Sequence, residues 1–323
     1  GSVNLIEAED RVQPYFFPAS ALSLLVATLV GHQFAIVVSV FFAAMAGLVT
    51  GNSLEFTVLI GLTGTVGVLS LDRTERLNAY FVAGLAVAAC GIGTALFFAL
   101  RGESVPDPVV VISQVIGSLV NGLLSAAVGL AALYVTSNAL NIPTSLKLIE
   151  LMQPNHPLLQ RLLREAPGTY QHSLQVANLA ELGAQRVNAN APLMRVAAMY
   201  HDVGKILNPH FFVENQADGV NPHDALNDPL QSARIIIGHV AEGLRLGRQY
   251  RLPCRIRDFI SEHHGTTQAL YFYRKAQELA GDSESVDPSD FTYPGPRPQT
   301  RETAILMLAD GCESSVRARR PQS

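Results

Sequence analysis

Five places in the second half of this 323-residue chain put histidine or aspartate where a helical pattern calls for something else. They are His172, the adjacent pair His201 and Asp202, His239, the pair His263 and His264, and Asp310. Asp310 follows Ile305, Leu306, Met307, Leu308 and Ala309, and a carboxylate in such a run is costly unless a cation balances it. His201 and Asp202 can face one ion together only where a helix is ending, and Gly204 supplies the stop signal for that ending. Singly, each has an ordinary alternative: a satisfied core histidine, a helix-terminal cation pair, half of an ion pair. Together in one helical domain of roughly 150 residues they point to a metal centre. Mixed imidazole and carboxylate ligation suits manganese or iron better than an all-oxygen magnesium site, with zinc an option.

The segments that position these residues read as helices. Leu174, Val176, Leu179 and Leu182 mark one, 193–203 another, Asp228 and Pro229 open a third with an N-cap and proline at its first position, and 256–263 and 300–319 are the last two. No run alternates at period two, so strands are not expected. A long loop is expected over 281–299, rich in Pro, Gly, Ser and Asp.

The first half is of another kind. Between Val12 and Val135 there are eight charged residues, and no lysine precedes Lys147. Five apolar stretches, 15–30, 33–49, 54–71, 79–100 and 109–135, are near the roughly 20 residues that cross a ~30 Å hydrocarbon core. Arg73 and Arg76 in the loop 72–76 place that loop on the cytoplasmic side, so the fifth helix runs inward and residue 1 lies outside. Ser118, Asn121 and Ser125 share one helix face and are expected to bond a neighbouring helix rather than a ligand, while His32 is expected to face interfacial water. The expected organisation is a juxtamembrane segment at 1–13, transmembrane helices at 14–136, a linker and coupling helix at 137–165 and the metal domain at 166–320. Within the linker, Leu146, Ile149 and Met152 recur on one face of a short amphipathic helix.

A net charge of −4 spread over two such different halves gives no support to a nucleic-acid polymer as partner. The three cysteines, Cys90, Cys254 and Cys312, form no CxxC pair and support neither a disulfide framework nor a zinc ribbon. No signal peptide is visible, and Gly1 and Ser2 read as a cloning scar with natural sequence expected upstream.

The order H…HD…H…HH…D resembles the HD-domain metal-dependent phosphohydrolases, which are all-α. More closely, Glu165 to Thr169 with Tyr170, His172 and Ser173, then Tyr200 to Lys205, Glu214-Asn215-Gln216, Asn221 to Asp224, His263 to Thr266 and Tyr293 to Gln299 resemble the bacterial seven-transmembrane-receptor HD family. Characterised members of that family are cyclic-di-AMP phosphodiesterases of the PgpH type. The resemblance covers the whole second half and, more weakly, the first, and it implies a fragment that holds the last five helices and lacks the N-terminal helices and extracellular domain. It implies an all-α architecture: a polytopic bundle of about five helices followed by a helical phosphohydrolase domain in the cytoplasm, held in a bacterial cell membrane.

Carried over residue by residue, the resemblance implies that His172, His201, Asp202 and Asp310 hold one metal. Asp202, His239, His263 and His264 hold the other, with Asp202 bridging. Phosphodiester hydrolysis needs an activated water and relief of charge on the phosphoryl oxygens, and two divalent ions supply both. Asp202 and Lys205 are the implied catalytic pair, Lys205 reaching a nonbridging phosphate oxygen. Asn215, Gln216, Asn221 and His223 offer groups for bases or ribose or else pin their own loop, and Tyr170 is counted with the substrate contacts; His156 and His210 are read as structural. The implied partners are a cyclic dinucleotide and the lipid bilayer, with a homodimer allowed. Rival readings are an HD hydrolase of cyclic-di-GMP or ppGpp and a receptor module that binds nucleotide without cleaving it. The cyclic-di-GMP hydrolase is disfavoured because Gly265-Thr266-Thr267 follows the histidine pair in place of Gly-Tyr-Pro, and because Gly168 offers no further carboxylate.

Overall fold

The structure is a computed structural model that describes residues 12–71, 77–101, 107–216, 221–281 and 286–319. The loop 72–76, most of the segment 1–13, residues 282–285 of the loop 281–299 and residue 320, all invoked above, lie outside the described residues. Every regular element among the described residues is a helix; one isolated antiparallel bridge joins Gln268 to Thr292. The chain divides into two compact units, residues 1–140 with 144–146 and residues 141–143 with 147–323.

The first unit contains α1 (Ser20–Leu29), α2 (His32–Val49), α3 (Leu54–Ser70), α4 (Leu77–Arg101) and α5 (Pro108–Leu140). Four segments, Val12–Leu29, His32–Val49, Asn78–Arg101 and Pro108–Leu140, are long and apolar enough to cross a membrane, and Leu54–Ser70 is a shorter apolar helix. Small residues let the helices approach closely: a Cβ on Gly122 would stand 2.3 Å from the carbonyl oxygen of Gly84. Of the three polar residues expected to bond a neighbouring helix, only Asn121 reaches outside α5, its Nδ2 donating to the Phe17 carbonyl at 2.8 Å; Ser118 donates to the Gln114 carbonyl and Ser125 to Asn121 Oδ1, both within α5. Tyr15 donates to Glu55. His32 is exposed, and its Nε2–H donates to the Leu71 carbonyl at 2.9 Å.

The second unit is built from α6 (Ser145–Leu151), α7 (Pro157–Glu165), α8 (Pro167–Arg186), α9 (Ala191–Tyr200), α10 (Pro222–Leu226), α11 (Pro229–Gln249), α12 (Cys254–Glu262), α13 (Leu270–Ala280) and α14 (Arg301–Arg319). Short 3-10 helices fill Val203–Leu207, Pro209–Phe211, Val213–Asn215 and Pro288–Phe291. Asn190 and Asp228 cap α9 and α11 by accepting the Leu193 and Gln231 amides, with a proline in the first turn of each. The core runs through Leu158, Leu162, Val176, Met194, Tyr200, Leu246, Phe259 and Leu306, and Leu148 and Leu151 of α6 join it.

α8 buries a stripe other than its leucine period suggests. Thr169, His172, Ser173, Val176, Ala177, Ala180 and Ala184 face inward, while Leu179 and Leu182 are exposed. Small side chains on the inward face let α9 and α14 pack close, which brings His172 within reach of both. Among the described residues of this unit three helices, α7, α10 and α13, lie outside the segments that periodicity predicts.

Candidate metal centre

Each candidate ligand sits where its helix permits an inward imidazole or carboxylate. His172 lies in the second turn of α8, His239 in the middle of α11 and Asp310 in the middle of α14. At the end of α9 the backbone is still helical at His201 (φ −58°, ψ −35°) and leaves the helix at Asp202 (φ −106°, ψ 14°). That change turns two adjacent side chains toward one centre. Gly204 follows because α11 passes directly over it: a Cβ there would stand 1.8 Å from the His239 carbonyl oxygen. His263 ends α12, and Gly265 behind it has φ +53°, a left-handed conformation that glycine adopts without strain.

The histidines are oriented through Nδ1. His201, His239 and His263 donate Nδ1–H to the carbonyl three residues earlier in their own helices, Ala198 at 2.7 Å, Ile236 at 2.6 Å and Ile260 at 2.9 Å. His172 instead donates to Glu313 Oε2 at 2.6 Å. With Nδ1–H committed, each ring turns its Nε2 lone pair inward, the tautomer a metal ligand requires.

Asp202 stands between these rings with its two oxygens divided. Oδ1 lies 3.3 Å from His239 Nε2 and 3.6 Å from His263 Nε2; Oδ2 lies 3.4 Å from His172 Nε2 and 3.3 Å from His201 Nε2. Asp310 Oδ1 closes the second side at 3.1 Å from His172 Nε2. The ligand atoms form two groups, Asp202 with His239, His263 and His264, and His172 with His201 and Asp310, each within 4.8 Å of one another.

The donor set fits divalent ions. His172 Nε2, His201 Nε2 and Asp202 Oδ1 are buried polar atoms with no hydrogen-bond partner, and a buried orphan acceptor is costly. His239 Nε2 and His263 Nε2 face each other at 3.3 Å as two lone pairs, an approach that a cation between them relieves.

Protonation follows the same logic. Burial works against the Asp202 carboxylate, yet the charges of His201 and Lys205 hold it well below the usual range. Burial also opposes the Asp310 carboxylate and is outweighed by the adjacent His172 ring. His263 and His264 are held low, first by burial and then by neighbouring histidines, so they stay neutral. Burial disfavours a charged His172, but the adjacent carboxylates of Asp202 and Asp310 push it up to about 10, and a divalent ion competes with that proton.

Lys205 reaches the centre from the 3-10 turn: its Nζ donates to Asp202 Oδ2 at 2.6 Å and to Glu214 Oε1 at 2.8 Å. The other residues expected at substrate are engaged in local structure. Asn215 accepts the Thr169 amide and donates to Thr169 Oγ1, Gln216 donates to the His210 carbonyl, and His223, capped by Asn221, donates to the Phe211 carbonyl. Tyr170 packs, half-buried, against the core. Tyr293 stacks on His264 with ring centroids 4.3 Å apart, and Glu313, Glu214 and Arg317 surround His172 and Lys205. Of these, Glu313 carries the legible signal: it stands three residues after Asp310, on the same helix face. A cavity of about 940 Å³ opens beside His172 between α8 and α14, and one of about 600 Å³ opens beside His239 along α11.

Comparison with known proteins points to one family. A model described as "HD domain" matches residues 169–315, and one described as "7TM receptor with intracellular HD hydrolase" matches residues 4–144. The solved HD domain of L. monocytogenes phosphodiesterase PgpH in complex with cyclic-di-AMP is 47% identical, with a TM-score of 0.50, covering 53% of this chain and 78% of that one. The chain belongs to the seven-transmembrane-receptor HD family. Within that family it is similar to the cyclic-di-AMP phosphodiesterase PgpH of Listeria monocytogenes serotype 1/2a (strain 10403S), 36% identical over 94% of this chain and 42% of the relative. PgpH of Bacillus subtilis (strain 168) is 34% identical over 94% of this chain and 43% of the relative. The chain thus spans about two fifths of the length of these curated relatives.

Proposed function

We propose that this protein is a membrane-bound phosphodiesterase that uses two divalent transition-metal ions, manganese or iron, to hydrolyse cyclic-di-AMP to linear pApA. The observation that carries the reading is the division of the Asp202 carboxylate, with Oδ1 toward His239 and His263 and Oδ2 toward His172 and His201. One carboxylate serving two imidazole sets suits a pair of ions a few Å apart, the arrangement used for in-line phosphoryl displacement. His172, His201, Asp310 and Asp202 would hold one ion, and Asp202, His239, His263 and His264 the other. When bound, the ions supply an acidified water and neutralise charge on the phosphoryl oxygens.

The residues of the chain divide the remaining tasks. The Nδ1 hydrogen bonds fix ring orientation before substrate arrives, so little reorganisation is left for the reaction. Lys205 stays protonated because the pull of Asp202 and Glu214 overcomes burial, and its ammonium is placed to donate to a nonbridging phosphate oxygen. Water adds to phosphorus, the bond from phosphorus to the 3′ oxygen breaks, and that oxygen leaves with a proton, giving a 5′ phosphate and a free 3′ hydroxyl. The two cavities beside His172 and His239 offer room for the nucleosides. A cytoplasmic position for this unit is supported by the arginine pair Arg73 and Arg76.

The substrate is tested by assaying purified, manganese-loaded protein against cyclic-di-AMP, cyclic-di-GMP and ppGpp with product identification. Conversion of the first to pApA is expected. Cleavage of another with none of the first would remove the substrate assignment, and tight binding without turnover would favour the receptor reading.

A further inference from the structure

His172 differs from the other inward-facing histidines in what holds its Nδ1. His201, His239 and His263 each rely on a backbone carbonyl of their own helix, whereas His172 relies on a carboxylate from another helix, Glu313 Oε2 at 2.6 Å. Glu313 is itself buried and is held by Arg317, whose Nε lies 3.5 Å from the same oxygen. Arg317 also donates to Glu214 Oε2 at 3.1 Å, Glu214 accepts from Lys205 at 2.8 Å, and Lys205 donates to Asp202 at 2.6 Å. A ring of alternating charges therefore runs from His172 through Glu313, Arg317, Glu214 and Lys205 to Asp202. α14 addresses both nitrogens of the His172 ring, Asp310 at Nε2 and Glu313 at Nδ1, from positions three apart on one face.

We propose that Glu313, held by Arg317, is a positioning residue that sets metal affinity selectively at the His172, His201 and Asp310 group. A carboxylate acceptor fixes the ring more strongly than a carbonyl and raises its basicity as a ligand. In the other group His239 and His263 take their orientation from backbone carbonyls and His264 stacks on Tyr293, so that group has no such dependence on Glu313. The proposal rests on the two-metal reading above.

The test measures the stoichiometry and affinity of manganese or iron by chelator competition on the full chain in detergent. Wild type, Glu313→Ala and Glu313→Gln are compared, with circular dichroism reporting the fold. In Glu313→Ala one of two ions is expected to weaken about 10- to 100-fold while the other keeps its wild-type affinity. Glu313→Gln keeps an acceptor for Nδ1–H and is expected to weaken the same ion by less. Wild-type binding of both ions in Glu313→Ala, equal weakening of both, or a glutamine variant no better than alanine would each overturn the proposal. Should the alanine variant fail to fold, the glutamine variant decides: weakening at one ion supports the proposal, and equal or unchanged binding at both overturns it. A wild-type chain that binds fewer than two ions would overturn the two-metal reading and this inference together.

Discussion

Lys205 Nζ lies 2.6 Å from Oδ2 of Asp202, the same oxygen that faces His172 and His201. In the proposed reaction this one ammonium would tie the central carboxylate of the site to the charge of a phosphodiester. Removing it in Lys205→Ala is expected to lower kcat/KM for cyclic-di-AMP by about 100-fold, the cost of one well-placed donor to developing charge. Both ions should remain bound, because no candidate ligand is lost. Steady-state kinetics with metal analysis of the same sample checks this; loss of ions along with activity would show that Lys205 acts through the metal centre rather than on the phosphate.

Asp202→Ala removes the group that faces both imidazole sets. Activity is expected to fall to the assay floor and metal content to drop from about two ions per chain to fewer than one. Retained turnover with a full metal complement would refute the bridging role.

Gly204 and Gly238 make opposite predictions. A Cβ on Gly204 would meet two backbone atoms, His239 O at 1.8 Å and Gly243 N at 2.6 Å, so α11 would have to move off the turn that carries Asp202. Gly204→Ala is expected to cost about 3 kcal/mol and to weaken metal binding. Gly238, on the same helix, has nothing within 4 Å of its would-be Cβ, and Gly238→Ala is expected to stabilise by about 1 kcal/mol through helix propensity. Denaturant unfolding of the two variants beside wild type settles the pair.

Acid should unfold the second unit partly through Glu214. Burial alone would raise this carboxyl, but Lys205 holds it down to about 2 from an ordinary 4.5. Because the folded value is the lower one, its contribution to stability is complete above about pH 4.5 and is lost as pH falls from there toward 2. The shift corresponds to stability on the order of 3 kcal/mol. Unfolding measured at pH 6 and at pH 3 should show a smaller acid loss in Glu214→Gln than in wild type. Asp202 and Asp310 are depressed in the same direction, so the loss shrinks without vanishing. An identical loss in both proteins would dismiss the role assigned to Glu214.

The helical architecture was legible because the signals are local. Apolar runs without charge announce α1 to α5, and Asp228 with Pro229 announces the start of α11 whatever it packs against. The inward face of α8 was only half legible: of the four residues that mark its period, Val176 is buried and Leu174 packs on the core, whereas Leu179 and Leu182 point outward. Small residues at Ala177, Ala180 and Ala184 face the neighbouring helices instead, and the choice between faces depends on how closely those helices approach.

The site divides in the same way. The sequence by itself determined which residues could ligate, because an aspartate after five apolar residues and a His-Asp pair before a helix-stopping glycine are exceptional in their own surroundings. The resemblance implied two groups of candidate ligands sharing Asp202; the tertiary structure alone decided that Asp202 turns a different oxygen to each group and that Glu313 rather than a carbonyl holds His172. The ligand atoms come from α8, the end of α9, α11, the end of α12 and α14, and their meeting depends on helix packing across more than a hundred residues. Hydrogen-bond partners at that separation are chosen by distance in space, which local sequence does not encode.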